Sequence, residues 1–330
     1  MREPSKSLQP ARTASLLSPL GAALLFLLMV LPRFALPQES WQSQPRPNSQ
    51  ENQETIKINV DLVVLHATVQ DRKRIPVSGL GKDDFQVYED SVLQQIDTFS
   101  HEDIPVAVGL VIDNSGSMRP KRTEVIAAAL AFARSSNTKD QLFVVNFNEH
   151  VSFGLPAHTL FTDITAQLEV ALYKIVADGM TALYDAVAAA LDHLKRGNRD
   201  KQVLIVISDG ADNASHHNLA RIMTLAKESE AIIYTIGLYD KDDPDRNPGS
   251  LKQLAKATGG EAFFPESVKE VIPICERIAR DIRNQYTITY IPTNTKYDGK
   301  YRVIEVKAGA PGRERLMVRT RAGYYAPLKP

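Results

Sequence analysis

The chain has almost no cysteine: Cys275 stands alone among 330 residues. No intrachain disulfide is possible, so a folded domain has to rest on its apolar core. Charge of one sign is also missing, because 39 Lys and Arg balance 39 Asp and Glu. A balanced chain without a basic stripe interleaved with aromatics argues against nucleic acid as a partner. Common catalytic signatures are absent as well. Gly79-Leu-Gly-Lys82 runs into Asp83 and has the wrong spacing for a phosphate-binding loop. Asn114-Ser-Gly-Ser-Met118 lacks the first glycine of a nucleophile elbow, and no histidine is tied by motif to a triad. His216-His217 has no third ligand spaced for zinc and reads as an exposed loop pair. Asp240-Lys-Asp-Asp-Pro-Asp245 lacks the glycine and closing glutamate of an EF-hand loop and reads as a solvated loop. Asn213-Ala-Ser215 has the spacing of a glycosylation triplet, which alone carries no argument.

What is present is ordinary in bulk and specific in detail. Apolar residues at 43% and charged residues at 24% fit a globular protein, and the length suffices for one large domain plus a small one. Arg2, Lys6 and Arg12 precede an apolar run at 14–31, interrupted by Pro19 and Gly21. A basic segment followed by an apolar one reads as a signal peptide or membrane anchor over 1–37, and so as export to the periplasm, cell surface or medium. Residues 38–55, rich in Gln, Asn, Ser and Pro and containing Trp41, cannot bury enough apolar surface to offset the entropy of ordering. They read as a disordered tether.

The middle of the chain is organised around 106–118. An apolar run of strand length stops at Asp113, and two hydroxyls follow at Ser115 and Ser117 around Gly116. A run apolar on both faces suits a parallel strand buried under helices, and ligands of such sheets sit beyond the carboxyl ends of strands. Asp178-Gly-Met-Thr181 opens an Ala-rich helical pattern, with Thr181 at its start. A second buried-strand pattern at 201–208 ends on Asp209-Gly210. These residues offer only oxygen donors, which hard cations such as Mg²⁺ prefer. Each residue taken singly also has a plain reading. Asp113 can cap a turn, Ser115 and Ser117 can be turn hydroxyls, Thr181 can be a helix N-cap, and Asp209 can sit in an ordinary turn. Asp212, just beyond, reads as a solvated loop residue rather than a ligand.

The set Asp113, Ser115, Ser117, Thr181, Asp209 resembles the von Willebrand factor type A family and its metal-ion-dependent adhesion site, in which Asp-x-Ser-x-Ser is followed by Thr and then Asp. All five positions are filled without substitution. The resemblance covers 104–284. It implies a doubly wound α/β domain that holds Mg²⁺ (or Mn²⁺ or Ca²⁺) and takes an Asp or Glu from a protein partner, with no bond broken. A Mg-dependent hydrolase using the same oxygen cluster, or a structural component of a surface complex, is the alternative.

The pattern of apolar residues gives the rest of the organisation. Alternation predicts a helix at 121–133, strands at 141–147 and 151–153, and a helix capped by Asp163 and running to Val176 with Ile164, Leu168, Ala171, Leu172 and Ile175 inward. It continues with a helix at 181–194, strands at 203–207 and 232–238, helices at 219–226 and 251–257, a strand at 261–264 and a helix at 268–283 with a possible kink at Pro273 and a buried Cys275. That order implies a mostly parallel sheet with helices on both faces. The flanks are different. Residues 56–69, a hairpin turning at 89–91, and alternating runs at 285–291, 301–307 and 316–320 all read as strands. Neither flank has enough strands to stand alone. Residues 56–103 and 285–326 are therefore expected to form one small all-β sandwich into which 104–284 is inserted. A flanked arrangement ending in a Gly-Tyr-Tyr-like stretch, here Gly323-Tyr324-Tyr325, resembles a bacterial group of type A proteins.

Overall fold

The computed structural model describes residues 62–174, 176–239, 247–312 and 316–328. The apolar run at 14–31, the tether, the start of the 56–69 strand, Ile175 and the acidic 240–245 loop lie outside them. Among the described residues no helix is long and apolar enough to cross a membrane.

The chain begins with four strands, β1 (Val63–Gln70), β2 (Phe85–Glu89), β3 (Val92–Gln94) and β4 (Ile96–Ser100). An α/β segment follows: β5 (Val106–Asp113), α1 (Arg122–Ser135), β6 (Gln141–Phe147), β7 (Val151–Phe153), α2 (Thr165–Leu172), α3 (Leu183–Leu194), β8 (Lys201–Ser208), α4 (Leu219–Glu228), β9 (Ile232–Gly237), α5 (Pro248–Thr258), β10 (Ala262–Phe263) and α6 (Val271–Arg283). The chain closes with β11 (Tyr286–Tyr290), β12 (Tyr301–Ala308), β13 (Met317–Arg319) and β14 (Gly323–Tyr325).

The α/β segment forms one six-stranded sheet in the order β10-β9-β8-β5-β6-β7, parallel except for the edge strand β7. All eight residues of β5 are buried, which accounts for its unbroken apolar run. Helix α1 packs on α2 and α6, while α3 packs on α4 and α4 on α5, so helices cover both faces. After β5 the chain moves to β6 on one side and later returns to β8 on the other. The gap above β5 and β8 is therefore the topological switch point, where such sheets leave a crevice at the carboxyl ends.

The two flanks build a pair of four-stranded antiparallel sheets, β13-β1-β11-β4 and β14-β12-β2-β3. The first sheet alternates strands from the two ends of the chain, with β11 between β1 and β4, and the second joins a C-terminal pair to an N-terminal pair where β12 meets β2. The hairpin turns at Asp90 and Ser91, both with positive φ, and Asp90 is fastened to β12 through Val303. The chain then crosses from β3 to β4, from one sheet to the other. Leu65, Val87, Ile288, Tyr290 and Ile304 fill the space between the sheets. Buried Glu89 in that core receives the Arg302 guanidinium at 3.2 Å and the hydroxyls of Tyr290 and Tyr324 at 2.7 and 2.9 Å. The Gly-Tyr-Tyr stretch now has a physical basis. Tyr324 satisfies Glu89, and a Cβ on Gly323 would come within 2.2 Å of the Arg302 carbonyl across the ladder.

The two modules meet in a charge network. Arg319 on β13 reaches Asp281 on α6 at 2.9 Å and Glu261 at 3.2 Å, and Arg277 reaches Glu261 at 3.0 Å. Asp281 is fully buried and Arg319 is its hydrogen-bonded cation, so removing Arg319 leaves only Arg277 nearby to offset a buried charge. Arg319→Ala is expected to lower stability by about 3 kcal/mol. Denaturant unfolding checks this, and a loss below about 0.5 kcal/mol would mean that the junction does not depend on the pair.

Several local expectations need correction. Helix α2 begins at Thr165 and ends at Leu172, and Asp163 does not cap it. Thr162, pinned to Leu142 by a pair of backbone bonds, accepts from the Ile164 N–H instead and donates to Gln167. Ile164 is exposed rather than inward. The helix stops short of 176 because the chain has to turn back to bond Asn114 through the Asp178 N–H. Pro273 lies in the first turn of α6, where its missing N–H costs nothing, and needs no kink. Cys275 is buried, and burial pushes its thiol up to about 12.

Candidate metal centre

Asp113 is the last residue of β5, and Asp209 follows β8, the neighbouring parallel strand. Both carboxylates are thus delivered to the switch point by adjacent strand ends, and both are almost fully buried, at 2% and 1% exposure. Asp113 Oδ1 accepts from the Ser115 N–H at 2.8 Å, and its Oδ2 accepts from the Ser208 hydroxyl at 2.6 Å. Ser117 donates its hydroxyl to Asp209, and the hydroxyls of Ser115 and Ser117 lie 3.2 Å apart. Two buried carboxylates and the buried Ser115 therefore meet the exposed Ser117 in one hydrogen-bonded cluster. Burial, and then the neighbouring Asp209 charge, push the Asp113 carboxyl up to about 7. Burial disfavours the charged form, and a second carboxylate beside it adds to that effect.

Thr181 comes from a third loop. It is buried, and its backbone is fixed to the loop after β8: its N–H donates to Asn213 Oδ1 at 2.8 Å, and its carbonyl accepts from the Asn213 and Ala214 N–H groups. The same loop is laced to the Asp113 turn, with the Gly116 N–H donating to the Gly179 carbonyl at 3.1 Å and the Asp178 N–H to the Asn114 carbonyl at 2.9 Å. All five residues named from the sequence thus lie on three loops tied to one another at the head of the sheet. Asp113, Ser115, Ser117 and Asp209 form a single hydrogen-bonded cluster with Ser208. Thr181 joins through its backbone.

The loops that carry these residues correct two readings. Thr181 precedes α3 by two residues instead of capping it. The free N–H groups of Tyr184 and Asp185 are taken by Asp212 Oδ2 at 2.8 Å and Ser215 Oγ at 3.0 Å. Asp212 is therefore not a solvated loop residue. It caps α3 from the neighbouring loop and accepts the Ser215 hydroxyl at 2.7 Å. His216 and His217 are exposed, as read, yet both are anchored. Their backbone N–H groups and ring Nδ1 atoms all meet the Asp185 carboxylate. Burial opposes that charge, but the four contacts outweigh it and hold Asp185 well below the usual carboxylate range.

Sequence reasoning missed three supporting groups. Ser208 orients Asp113 and accepts from the Gly210 N–H at 3.0 Å. Its position directly before Asp209 at a strand end was the available signal. Asn114 bonds Asn146 across to β6 at 3.2 Å. Glu149 holds the Met180 N–H at 2.8 Å beneath Gly179, whose φ is +82°. A Cβ on Gly179 would fall 1.7 Å from the Glu149 carboxylate. Gly179→Ala is expected to cost about 1–2 kcal/mol from the left-handed backbone alone and to displace the Thr181 loop as well. Thermal unfolding and Mn²⁺ titration of that variant check both effects, and wild-type values in each would show that the loop position does not matter.

The donor set fits a hard divalent ion. Carboxylate and hydroxyl oxygens are the ligands such ions take, and the unbalanced charge of Asp113 and Asp209 is what one would neutralise. Among the described residues no cluster of three or more His, Cys, Asp or Glu side chains is gathered to hold a metal. Any ion at this site would therefore be held largely by neutral oxygens.

Residues 108–211, which contain all five candidates, match the family model for the von Willebrand factor type A domain. No curated protein matches the chain in sequence. Several solved structures are similar. A von Willebrand factor type A protein from Catenulispora acidiphila is 14% identical, with 81% of this chain and 75% of that one covered and a TM-score of 0.49. The vWF domain of the type V pili tip protein Mfa5 from Porphyromonas gingivalis is 15% identical over 55% of this chain and 95% of that one, with a TM-score of 0.46. Proximal thread matrix protein 1 from the mussel byssus, with a zinc-occupied MIDAS motif, is 16% identical over 55% of this chain and 49% of that one, with a TM-score of 0.45. This chain spans about half the length of the mussel protein.

Proposed function

Because the α/β unit is a von Willebrand factor type A domain, we propose that the protein is an exported binding module. It recognises a protein ligand through a divalent metal, Mg²⁺ or else Mn²⁺ or Ca²⁺, held by Asp113, Ser115, Ser117, Thr181 and Asp209. The observation that carries this reading is the convergence of two buried carboxylates with the hydroxyls of Ser115 and Ser117 at the switch point. Bound there, the ion would supply an open position for a partner's carboxylate. The chain's own residues do the rest. Ser208 and the Ser115 N–H fix the Asp113 carboxylate, and Asn213 fixes the Thr181 backbone. Both Asp113 oxygens are committed to hydrogen bonds, which suits a fixed ligand better than a group that must move a proton. Export rests on the basic and apolar N-terminal pattern, and that segment is also the candidate membrane attachment.

Water-proton relaxation with Mn²⁺ tests the open position. A bound ion with exchangeable water enhances relaxation, and acetate, a model of an Asp side chain, should reduce that enhancement by displacing the water. Binding of Mn²⁺ with no response to acetate would sink the carboxylate-bridge reading. Phosphomonoester turnover with Mg²⁺ that is lost in Asp113→Ala would instead make the protein a hydrolase.

A further inference from the structure

The two modules do not close on each other completely. The gap lies at the amino ends of the central strands, the opposite end of the sheet from Asp113 and Asp209. Leu65, Ala67 and Val69 of β1 alternate into the core between the antiparallel sheets, so Val64 and His66 point the other way, toward the α/β unit. They meet Asp200, just before β8, and Ile232, the first residue of β9, around a cavity of about 220 Å³. A second cavity of about 600 Å³ adjoins it, with Val64, Ile291, Pro292 and Tyr324 among its walls. Val64, Glu230 and Arg321 line both. A space of this size between domains, walled largely by apolar groups with a few polar ones, has the form of a small-molecule site.

The charges of the larger cavity are unevenly paired. Arg302 has its counter-charge in buried Glu89. Arg321 has none. Its Nε donates to the Gly323 carbonyl at 3.1 Å, and its Nη2 to the carbonyls of Lys227 and Ser229 at the end of α4, at 3.2 and 3.4 Å. Those acceptors are neutral, and among the described residues Nη1 has no hydrogen-bond partner and no carboxylate pairs with the guanidinium. Burial pulls Arg321 below the usual arginine range, which the charge of Glu230 opposes from a distance. Lys296 also lines this cavity, exposed, with an ammonium that has no partner among the described residues. Two uncommitted cations thus stand against the single acid Glu230. The smaller cavity registers the same excess: burial, and then the charges of Lys201 and Arg321, push His66 down to about 3, so its ring is neutral. One further negative charge would balance the larger cavity, and a carboxylate is the group a guanidinium holds best at that charge.

We propose that the cavity between the modules binds an aliphatic monocarboxylate, with its head group on Arg321 and its chain against Val64, Ile291 and Pro292. Lys296 guards the mouth and draws the anion in. The site is separate from the metal centre and does not depend on it. Its walls come from both modules, so an occupied cavity also ties the sandwich to the α/β unit.

Calorimetry on the full chain in EDTA tests this, with octanoate as the probe and no metal ion to attract its carboxylate. Octanoate should bind at least about tenfold more tightly than octanol, which lacks the charge, or acetate, which lacks the chain. Arg321→Gln keeps a donor for the α4 carbonyls but not the charge, and should bind octanoate no better than octanol. Ile291→Asp sets an acid on the apolar wall and should weaken octanoate at least about tenfold, and Lys296→Glu should weaken it as well. Ile291 and Lys296 are exposed, so the fold is not at stake in those two variants. A diazirine-bearing octanoate should label peptides from 62–66, 291–297 or 321–327. No binding of octanoate, equal binding of octanol, indifference to Ile291→Asp, or labelling confined to other peptides would each overturn the proposal.

Discussion

Asp113→Asn is expected to weaken Mg²⁺ or Mn²⁺ binding on the order of 100-fold or more while making the metal-free protein more stable at pH 8. Loss of an outer-shell partner of a metal ligand already costs 10–100-fold, and Asp113 would be a direct ligand and one of only two charged ones. The stability gain comes from the same carboxylate. Burial, and then Asp209, raise Asp113 from 3.8 to about 7. A carboxyl raised in the folded state contributes its full stability below its unfolded value near 4, and that contribution is lost as pH rises through 7. The shift of about three pH units corresponds to roughly 4 kcal/mol at most. Metal-free wild type should therefore lose stability between pH 4 and 8, and Asp113→Asn should lose less. Metal affinity runs the other way, because the ligand must be deprotonated, and it should fall as pH drops below 7. Calorimetry with Mn²⁺ and urea unfolding across this range measure both. Equal Mn²⁺ affinity in wild type and variant would refute the assignment of Asp113, and a flat pH profile of the metal-free protein would refute the stated cause.

Removing residues 285–330 should unfold the N-terminal strands and leave the central α/β unit standing. Strand β11 lies between β1 and β4, with Val63 opposite Tyr290 and Phe99 opposite Ile288, and β12 is the inner partner of β2. Without them β2 and β3 are a lone hairpin, and lone hairpins are marginal in water. Glu89 would also lose Arg302, Tyr290 and Tyr324 together, leaving a buried carboxylate without a partner. Amide exchange across 63–70 and 85–100 should rise to unfolded-chain rates, while β5 and β8, whose partners all lie within the central sheet, stay protected. Persistent protection of β1 or β2 after truncation would show that the flanks fold separately.

The central architecture was legible because its signals are local and repeated. The unbroken apolar runs of β5 and β8 announce strands covered on both faces, and their ends announce where Asp113 and Asp209 stand. Alternation in the flanks gave strands, and their scarcity on either side gave the composite sandwich. The failures were also local. The period of α2 did not reveal where it ends, because that point is set by the Asp178 to Asn114 bond rather than by the helix. Asp212 looked like a loop residue because the N–H group it caps, that of Tyr184, lies 28 positions earlier in the chain. Ser208 stood directly before Asp209 at a strand end, but a serine there has many uses, and only the fold shows that it orients Asp113.

By itself the sequence determined the order of the elements and which oxygen-bearing side chains stand at their ends. It did so because strand burial and oxygen chemistry are properties of residues and their near neighbours. Only the tertiary structure decided that three distant loops are hydrogen-bonded to one another around those oxygens, and that two carboxylates share one buried space. These are relations between segments far apart in the chain, fixed by strand order and packing, and no local pattern encodes them.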